Sequence, residues 1–375
     1  MAYTRCCAGR RRPRQNKRGL EETMGELLDY LKYAVKDRAS DVFIVAGGPV
    51  CEKLDKQVHA LGKEKLLPVD TSRLITDIYA QAGRPMNLFL ERGDDDFSFS
   101  VPGLARFRVN TYRQRGSMAA VIRVVQFGIP NWEELNIPPQ VMELAEATSG
   151  LVLVSGTAGS GKSTTQACVI DRINCTRRCH IITMENPIEY LHRNEQSIVS
   201  QREIAIDTVD YHSALRGALR QAPDVLLLGE MRDHETIRTA MTAAETGHLV
   251  IATLHTKGAV NTVDRIVDAF PSEQQGQIRA QLSMVLKTVV SQQLLPGTDG
   301  RLTPAFEIMH TNSAVRSLIR DSKSHQIDNV ISSGSAEGMM SMDQSILKLY
   351  QQGQITKETA LEYADNPDQM KRRMD

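Results

Sequence analysis

Two hydrophobic patterns divide this chain. Up to about residue 125, apolar and polar residues alternate. In "FSFSV" and "RFRVN" every second side chain falls on one face, the period of a half-buried strand. "DVFIVAG", "DFSFSV", "ARFRVNTY" and "AAVIRVV" read as short strands, and "TSRLITDIYAQAG" as a helix among them. Helical periodicity begins at "MGELLDYLKYAV", which predicts one amphipathic helix over 24–38. Together these segments predict a small α+β domain over 24–125. "QFGIPNWEELNIPPQ" is rich in proline and turn residues and reads as a linker over 126–140.

Beyond the linker the pattern changes. "GLVLVSG", "CHIITM", "DVLLLGE" and "HLVIATL" are almost wholly apolar, and they alternate with helical stretches such as "STTQACVIDRI" and "TIRTAMTAAET". Strands buried on both faces and separated by helices imply a parallel sheet in an α/β domain, here 141–375. From "NTVDRIVDAF" onward the chain reads as mainly helical, with one strand-like run at "PAFEIM".

Composition adds limits. The chain has 375 residues with 41% hydrophobic and 24% charged, an ordinary globular balance. No apolar run approaches the roughly 18 residues of a membrane span, and no signal-peptide pattern is visible, so a cytoplasmic protein is expected. The formal charge is zero but uneven. Arg5, Arg10, Arg11, Arg12, Arg14, Lys17 and Arg18 precede the first acid, and the rest of the chain is net acidic. An acidic body argues against a dedicated nucleic-acid binder. Residues 1–23 are expected to be a disordered basic extension, with Met24 as an alternative start. The six cysteines offer no second pair at zinc-ligand spacing and read as reduced thiols.

"GTAGSGKS" matches the phosphate-loop pattern G-x-x-x-x-G-K-[ST]. It runs through Gly156, Thr157, Ala158, Gly159, Ser160, Gly161, Lys162 and Ser163, follows the strand "LVLV" and opens the helix that carries Thr164. The glycines let backbone N–H groups turn inward on a phosphate. Lys162 supplies a point charge to the β- and γ-phosphates, and the Ser163 hydroxyl can ligate Mg²⁺. These residues and Thr164 are the candidate ATP contacts. Other strand ends of a parallel sheet should face the same ligand. Here they carry "TMENPIEY", "GEMRD" and "LHT".

These segments resemble the type II/IV secretion and pilus ATPase superfamily. "LRQAPDVLLLGEMRD" is similar to its signature stretch, "TMENPIEY" to its acidic box and "TAAETGHLVIATLHT" to its histidine box. "AVRSLIRD", Ala314 to Asp321, is similar to a segment of the pilus-retraction (twitching motility) branch. The resemblance spans about residues 24–363. It implies a homohexameric ATP-hydrolysing motor with a PAS-like N-terminal and a RecA-like C-terminal domain. It also implies an inner-membrane pilus platform as partner, a paralogous retraction ATPase as a second one, and membrane contact only through such partners. Arg108 and Arg123 match the arginines that complete the nucleotide site from the N-terminal domain, with Arg106 and Arg115 as weaker matches.

The second strand poses a question. Many P-loop proteins end it in a magnesium-binding aspartate, whereas this chain has Gly229 there and Glu230 one residue later. Mg²⁺ keeps several waters, so Glu230 can hold it through water while Ser163 binds directly. By motif match Glu189 is the base for the attacking water, with Glu185 the competing choice. The box reads Glu185-Asn186-Pro187 where the family has E-D-P, so Asn186 cannot make a charge contact there. His255 and His248 are the remaining nucleotide-site candidates. They flank "LVIATL", so His255 can sense the γ-phosphate while His248, at the far end, fits a subunit contact better. In "AVRSLIRD", Ala314, Leu318 and Ile319 are expected on one helical face and Arg316 and Arg320 on another. Two rival readings remain. One is an assembly or secretion ATPase of the same superfamily, disfavoured because no cysteine follows Cys179. The other is a non-catalytic ATP-binding adaptor.

Overall fold

The computed structural model describes residues 27–54, 57–125 and 128–374, and the predicted basic extension over 1–23 lies outside them. The chain forms two compact units that divide between Phe127 and Gly128.

The first unit is a six-stranded antiparallel sheet in the order β3-β2-β1-β6-β5-β4. Its strands are β1 (Asp41–Ile44), β2 (Cys51–Leu54), β3 (Gln57–Ala60), β4 (Asp94–Val101), β5 (Ala105–Gln114) and β6 (Ser117–Val125). Its helices are α1 (Leu27–Lys36), α2 (Pro68–Ala82) and α3 (Asn87–Arg92). The alternation in β5 explains the packing: Phe107, Val109 and Thr111 are buried, while Arg106, Arg108 and Asn110 take the other face. Leu74, Ile75 and Ile78 of α2 join that core. Asp95 is buried beneath α2 and is held by Arg84 Nε and Nη2, both at 2.9 Å, and by the Tyr79 hydroxyl at 3.1 Å. Strands β2 and β3 escape the sequence reading because they lack apolar alternation; β3 is exposed along its whole length.

The second unit is a seven-stranded sheet in the order β13-β12-β7-β11-β10-β8-β9. Strands β7 (Gly150–Ser155), β8 (His180–Glu185), β9 (Ile198–Glu203), β10 (Val225–Leu228), β11 (Leu249–Leu254) and β12 (Leu286–Pro296) run parallel, and β13 (Leu302–His310) runs antiparallel to β12. Nearly continuous burial follows from helices on both faces. Leu151 and Leu153 enter one core, and Val152 and Val154 enter the other. The helices are α4 (Pro139–Met142), α5 (Lys162–Thr176), α6 (Tyr211–Ala218), α7 (His234–Glu245), α8 (Ala259–Asp268), α9 (Ser272–Val285), α10 (Ser313–Arg320), α11 (Ile327–Ser333), α12 (Met342–Gln351), α13 (Lys357–Tyr363) and α14 (Pro367–Met374).

Three expectations change. "LKTVVSQQLLP" is not part of a helical region but the eleven-residue strand β12, buried between β7 and β13. The predicted 126–140 linker is not a free tether over its described part, 128–140. From Gly128 it belongs to the second unit, with Ile137 buried and Ile129, Trp132 and Leu135 packed on the same core. In α10 the packed face is Val315, Leu318 and Ile319; Ala314 is exposed with Arg316 and Arg320.

The back wall of the sheet also fixes a turn beside the candidate site. Helix α8 starts just after β11 without a side-chain cap of its own. Glu307 of β13 serves instead: its Oε1 accepts the Ala259 N–H at 2.6 Å, and Ser291 Oγ of β12 accepts the Gly258 N–H at 2.9 Å. Burial pushes the Glu307 carboxyl up to about 7, against the lowering pull of the Ala259 N–H. A folded-state pKa above the unfolded value favours folding below about pH 4.3. That contribution is lost as pH rises through 7. Glu307→Gln keeps the acceptor and removes the titration. It is expected to flatten the fall in Tm between pH 5.5 and 8 and to raise Tm at pH 8 by about 2–4 °C, read by thermal unfolding. An unchanged slope would show that Glu307 is not the titrating group.

Candidate nucleotide site

The predicted phosphate loop lies between β7 and α5. Gly156, Gly159 and Gly161 all have positive φ, at 143°, 77° and 86°. Two of them also lack room for a side chain. A Cβ on Gly156 would collide with the Gln292 carbonyl oxygen, and one on Gly161 would lie 2.8 Å from Gln292 Nε2. Gln292 stands on β12 behind the loop, and its Oε1 accepts the Thr165 hydroxyl at 2.7 Å. The Lys162 ammonium is buried and donates to the carbonyls of Gly156 at 2.8 Å and Thr157 at 2.7 Å. Burial lowers its pKa, and the Glu189 charge pulls it back up.

A cleft of about 320 Å³ opens over the loop. It brings together Ala158, Gly159, Lys162 and Ser163 from the loop, Glu185, Asn186 and Glu189 from the acidic box, Glu230 beyond β10, and His255 beyond β11. Thr164 faces the acidic box: its hydroxyl is 2.8 Å from the Tyr190 hydroxyl. Glu185 sits deep and its Oε1 accepts Thr183 Oγ1 at 2.6 Å and Gln201 Nε2 at 3.3 Å. Burial pushes it up to about 7. Glu189, by contrast, is exposed. Glu230 is 18% exposed and pairs with Arg232 Nε at 2.9 Å and His255 Nε2 at 3.6 Å.

Three further candidates remain. His248 is not a cleft residue: it precedes β11 at the end opposite His255, and its Nδ1 lies 3.0 Å from the Ala243 carbonyl. The rise of the strand separates the two histidines by its whole length. Arg108 and Arg123 belong to the first unit, where they are direct cross-strand partners on β5 and β6. Two like charges face to face are unfavourable. Asp96 Oδ2 at 2.7 Å from Arg108 Nη2 and Asp41 Oδ1 at 3.1 Å from Arg123 Nε compensate them.

The structure adds residues that no sequence signal marked. Gln166 and His192 line the cleft, and their Nε2 and Nδ1 atoms are buried without a hydrogen-bond partner among the described residues. Burial lowers the His192 pKa to about 4, so its ring is neutral at pH 7. Tyr211, at the start of α6, crowds the glycine that stands in place of aspartate. A Cβ on Gly229 would meet the Tyr211 hydroxyl at 2.9 Å, the Met184 carbonyl at 3.2 Å and Glu185 Cα at 3.3 Å. A side chain at position 229 would press on the Tyr211 hydroxyl and on the backbone of β8, and the acid of this strand end stands one residue later, at Glu230.

A parallel sheet with a phosphate loop at one strand end and acids at its neighbours defines a P-loop enzyme that hydrolyses ATP. The chain belongs to the Type II/IV secretion system protein family, whose model matches residues 19–359. It is 42% identical over 343 residues to the type IV pilus retractation ATPase PilT of Pseudomonas aeruginosa, covering 92% of this chain and 99% of that protein. It is 49% identical over 276 residues to a twitching motility protein of Neisseria gonorrhoeae, covering 73% and 74% of the two chains. Among solved structures, the pilus retraction motor PilT with bound ADP superposes with a TM-score of 0.84 at 43% identity, over 92% of this chain and 99% of that one. No helix among the described residues is long and apolar enough to cross a membrane.

The crowding at Gly229 is testable. Gly229→Ala should destabilise the protein by about 1–3 kcal/mol, the usual cost of overpacking. Adding Tyr211→Phe removes the nearest atom and should return part of that loss in denaturant unfolding. Equal stability of Gly229→Ala and wild type would show that the space is open.

Proposed function

We propose that this chain is a homohexameric motor that hydrolyses ATP to drive type IV pilus retraction. The observation that carries the reading is the convergence of Lys162, Glu189, Glu230 and His255 on one cleft over the phosphate loop. The near full-length similarity to a pilus retractation ATPase supports the pilus as its object. The first unit is read as PAS-like and the second as RecA-like. The motor is placed in the cytoplasm, at an inner-membrane pilus platform, with a paralogous retraction ATPase as its companion.

The chemistry follows from the side chains. Lys162 exchanges the Gly156 and Thr157 carbonyls for phosphate oxygens when ATP binds. The inward N–H groups of the loop and the start of α5 add positive potential. Ser163 and Glu230 offer hard oxygen donors in the same cleft and would hold Mg²⁺, Glu230 through water. Bound Mg²⁺ supplies charge neutralisation at the phosphates. Glu189 is exposed to the cleft and accepts the proton of the attacking water. Glu185 is less suited, since Thr183 and Gln201 already occupy its Oε1. His255 bears on Glu230 and senses the phosphate end of the site. Arg108 and Arg123 are assigned to completing the charge around the phosphates from the first unit.

Phosphate release from purified protein tests this. Lys162→Ala should abolish both nucleotide binding and turnover. Glu189→Ala should retain ATP and lose at least about 100-fold in kcat, the usual scale of general-base catalysis. Wild-type turnover by Glu189→Ala would move the base to Glu185.

The pilus assignment has its own test. Arg316 and Arg320 are exposed on α10, so replacing both with alanine should cost under about 0.5 kcal/mol. The double variant is expected to keep ATP hydrolysis and lose pilus retraction in cells. Parallel loss of both would place α10 in the catalytic machinery.

A further inference from the structure

The loop that carries Glu189 leaves β8 after Glu185 and is exposed at Glu189 itself. A base on such a loop keeps its aim only if the loop is fixed on either side. The fixing comes from β9, the edge strand beside β8. Gln201 lies opposite Thr183 in that pair, so its side chain stands on the same face as Thr183 and Glu185. Its amide reaches three points. Oε1 accepts the backbone N–H of His192 at 2.9 Å, while Nε2 donates to the Tyr190 carbonyl at 2.8 Å and to Glu185 Oε1 at 3.3 Å.

These contacts bracket Glu189. Glu185 stands before it, and Tyr190 and His192 follow it. The Tyr190 hydroxyl is in turn bonded to Thr164 on α5, the helix that opens with Lys162. A second β9 side chain, the Glu203 carboxylate, accepts the Ile188 N–H at 3.4 Å. We propose that Gln201 is a positioning residue for hydrolysis: its single amide clamps the acidic-box loop and so holds Glu189 against the phosphate loop. The proposal rests on the reading of Glu189 as the base.

Gln201 touches neither Lys162 nor the loop glycines, so its loss should spare nucleotide binding and act on turnover. Gln201→Leu removes all three contacts at similar volume. Its kcat is expected to fall about 10–100-fold, the scale of a misplaced catalytic group. KM and the affinity for ADP should stay within about twofold, well below the tenfold change that about 1.4 kcal/mol would give.

Gln201→Glu supplies a readout that a merely structural role would not move. When ionised, the introduced carboxylate still accepts the His192 N–H but can donate to nothing, and it stands beside Glu185. When protonated, it has an O–H where glutamine had its N–H. The titratable groups around this position are Glu185 on β8, Glu189, Tyr190 and His192 in the loop, and Glu203 on β9 itself. Burial and the neighbouring Glu185 raise the introduced carboxyl above the ordinary Glu range, so, measured relative to wild type at each pH, Gln201→Glu should regain kcat as pH falls from about 8 to 6. Gln201→Leu should show no such recovery.

Steady-state kinetics of full-length hexamers, run beside Glu189→Ala, test the clamp. Loss of kcat with preserved ADP affinity in Gln201→Leu, and acid recovery in Gln201→Glu, would establish it. Wild-type kcat in Gln201→Leu, a matched loss of ADP affinity, or a Gln201→Glu profile parallel to wild type would overturn it. If Glu189→Ala itself turns over normally, the base assignment fails instead, whatever Gln201 does.

Discussion

Lys162 buries an ammonium group under the phosphate loop, where the carbonyls of Gly156 and Thr157 hold it at 2.8 and 2.7 Å. An unpaired charge at that depth would be costly. The loop can supply these carbonyls only by turning its backbone inward, which requires the positive φ values of Gly156, Gly159 and Gly161. It also requires β12 at its back. The Gln292 carbonyl and amide leave no space for side chains at Gly156 and Gly161. The charge, the glycines and the strand behind them thus form one arrangement. Phosphate oxygens can take over the ammonium without first creating a cavity.

The same logic runs along the carboxyl ends of the other strands. β8 supplies Glu185 and the loop with Glu189, β10 supplies Glu230, and β11 supplies His255. Residues outside any motif shape these ends: Gln201 bonds the acidic box, Tyr211 crowds Gly229, and Glu307 caps the turn after β11. Unsatisfied groups remain where a ligand would reach them. Gln166 Nε2 and His192 Nδ1 line the cleft and are buried without a hydrogen-bond partner among the described residues. Orphaned polar atoms clustered along a binding cleft are those that bound water or substrate would satisfy.

Much of this is legible in the sequence because it depends on local pattern. The phosphate loop is contiguous, and apolar runs announce strands buried on both faces. Alternation in "RFRVN" sets the outward side of Arg108. What cannot be read depends on contacts across the chain. β12 reads as part of a helical region because "LKTVVSQQLLP" has neither a strict period of two nor turn residues inside it. Only its place between β7 and β13 makes it a strand. Gln201, Gln292 and Tyr211 are ordinary polar or aromatic residues in no motif, and their importance lies in what stands opposite them. Periodicity alone puts Ala314 on the packed face of α10, but the register of that short helix places Val315 inward.

A crystal structure of this chain with Mg²⁺ and a non-hydrolysable ATP analogue tests the central claim most directly. The phosphates should lie in the 156–163 loop, with Lys162 Nζ turned from the Gly156 and Thr157 carbonyls to phosphate oxygens. Glu189 should face the γ-phosphate through a water. Nucleotide bound elsewhere, or Lys162 still bonded to the two carbonyls with phosphate in the loop, would contradict it.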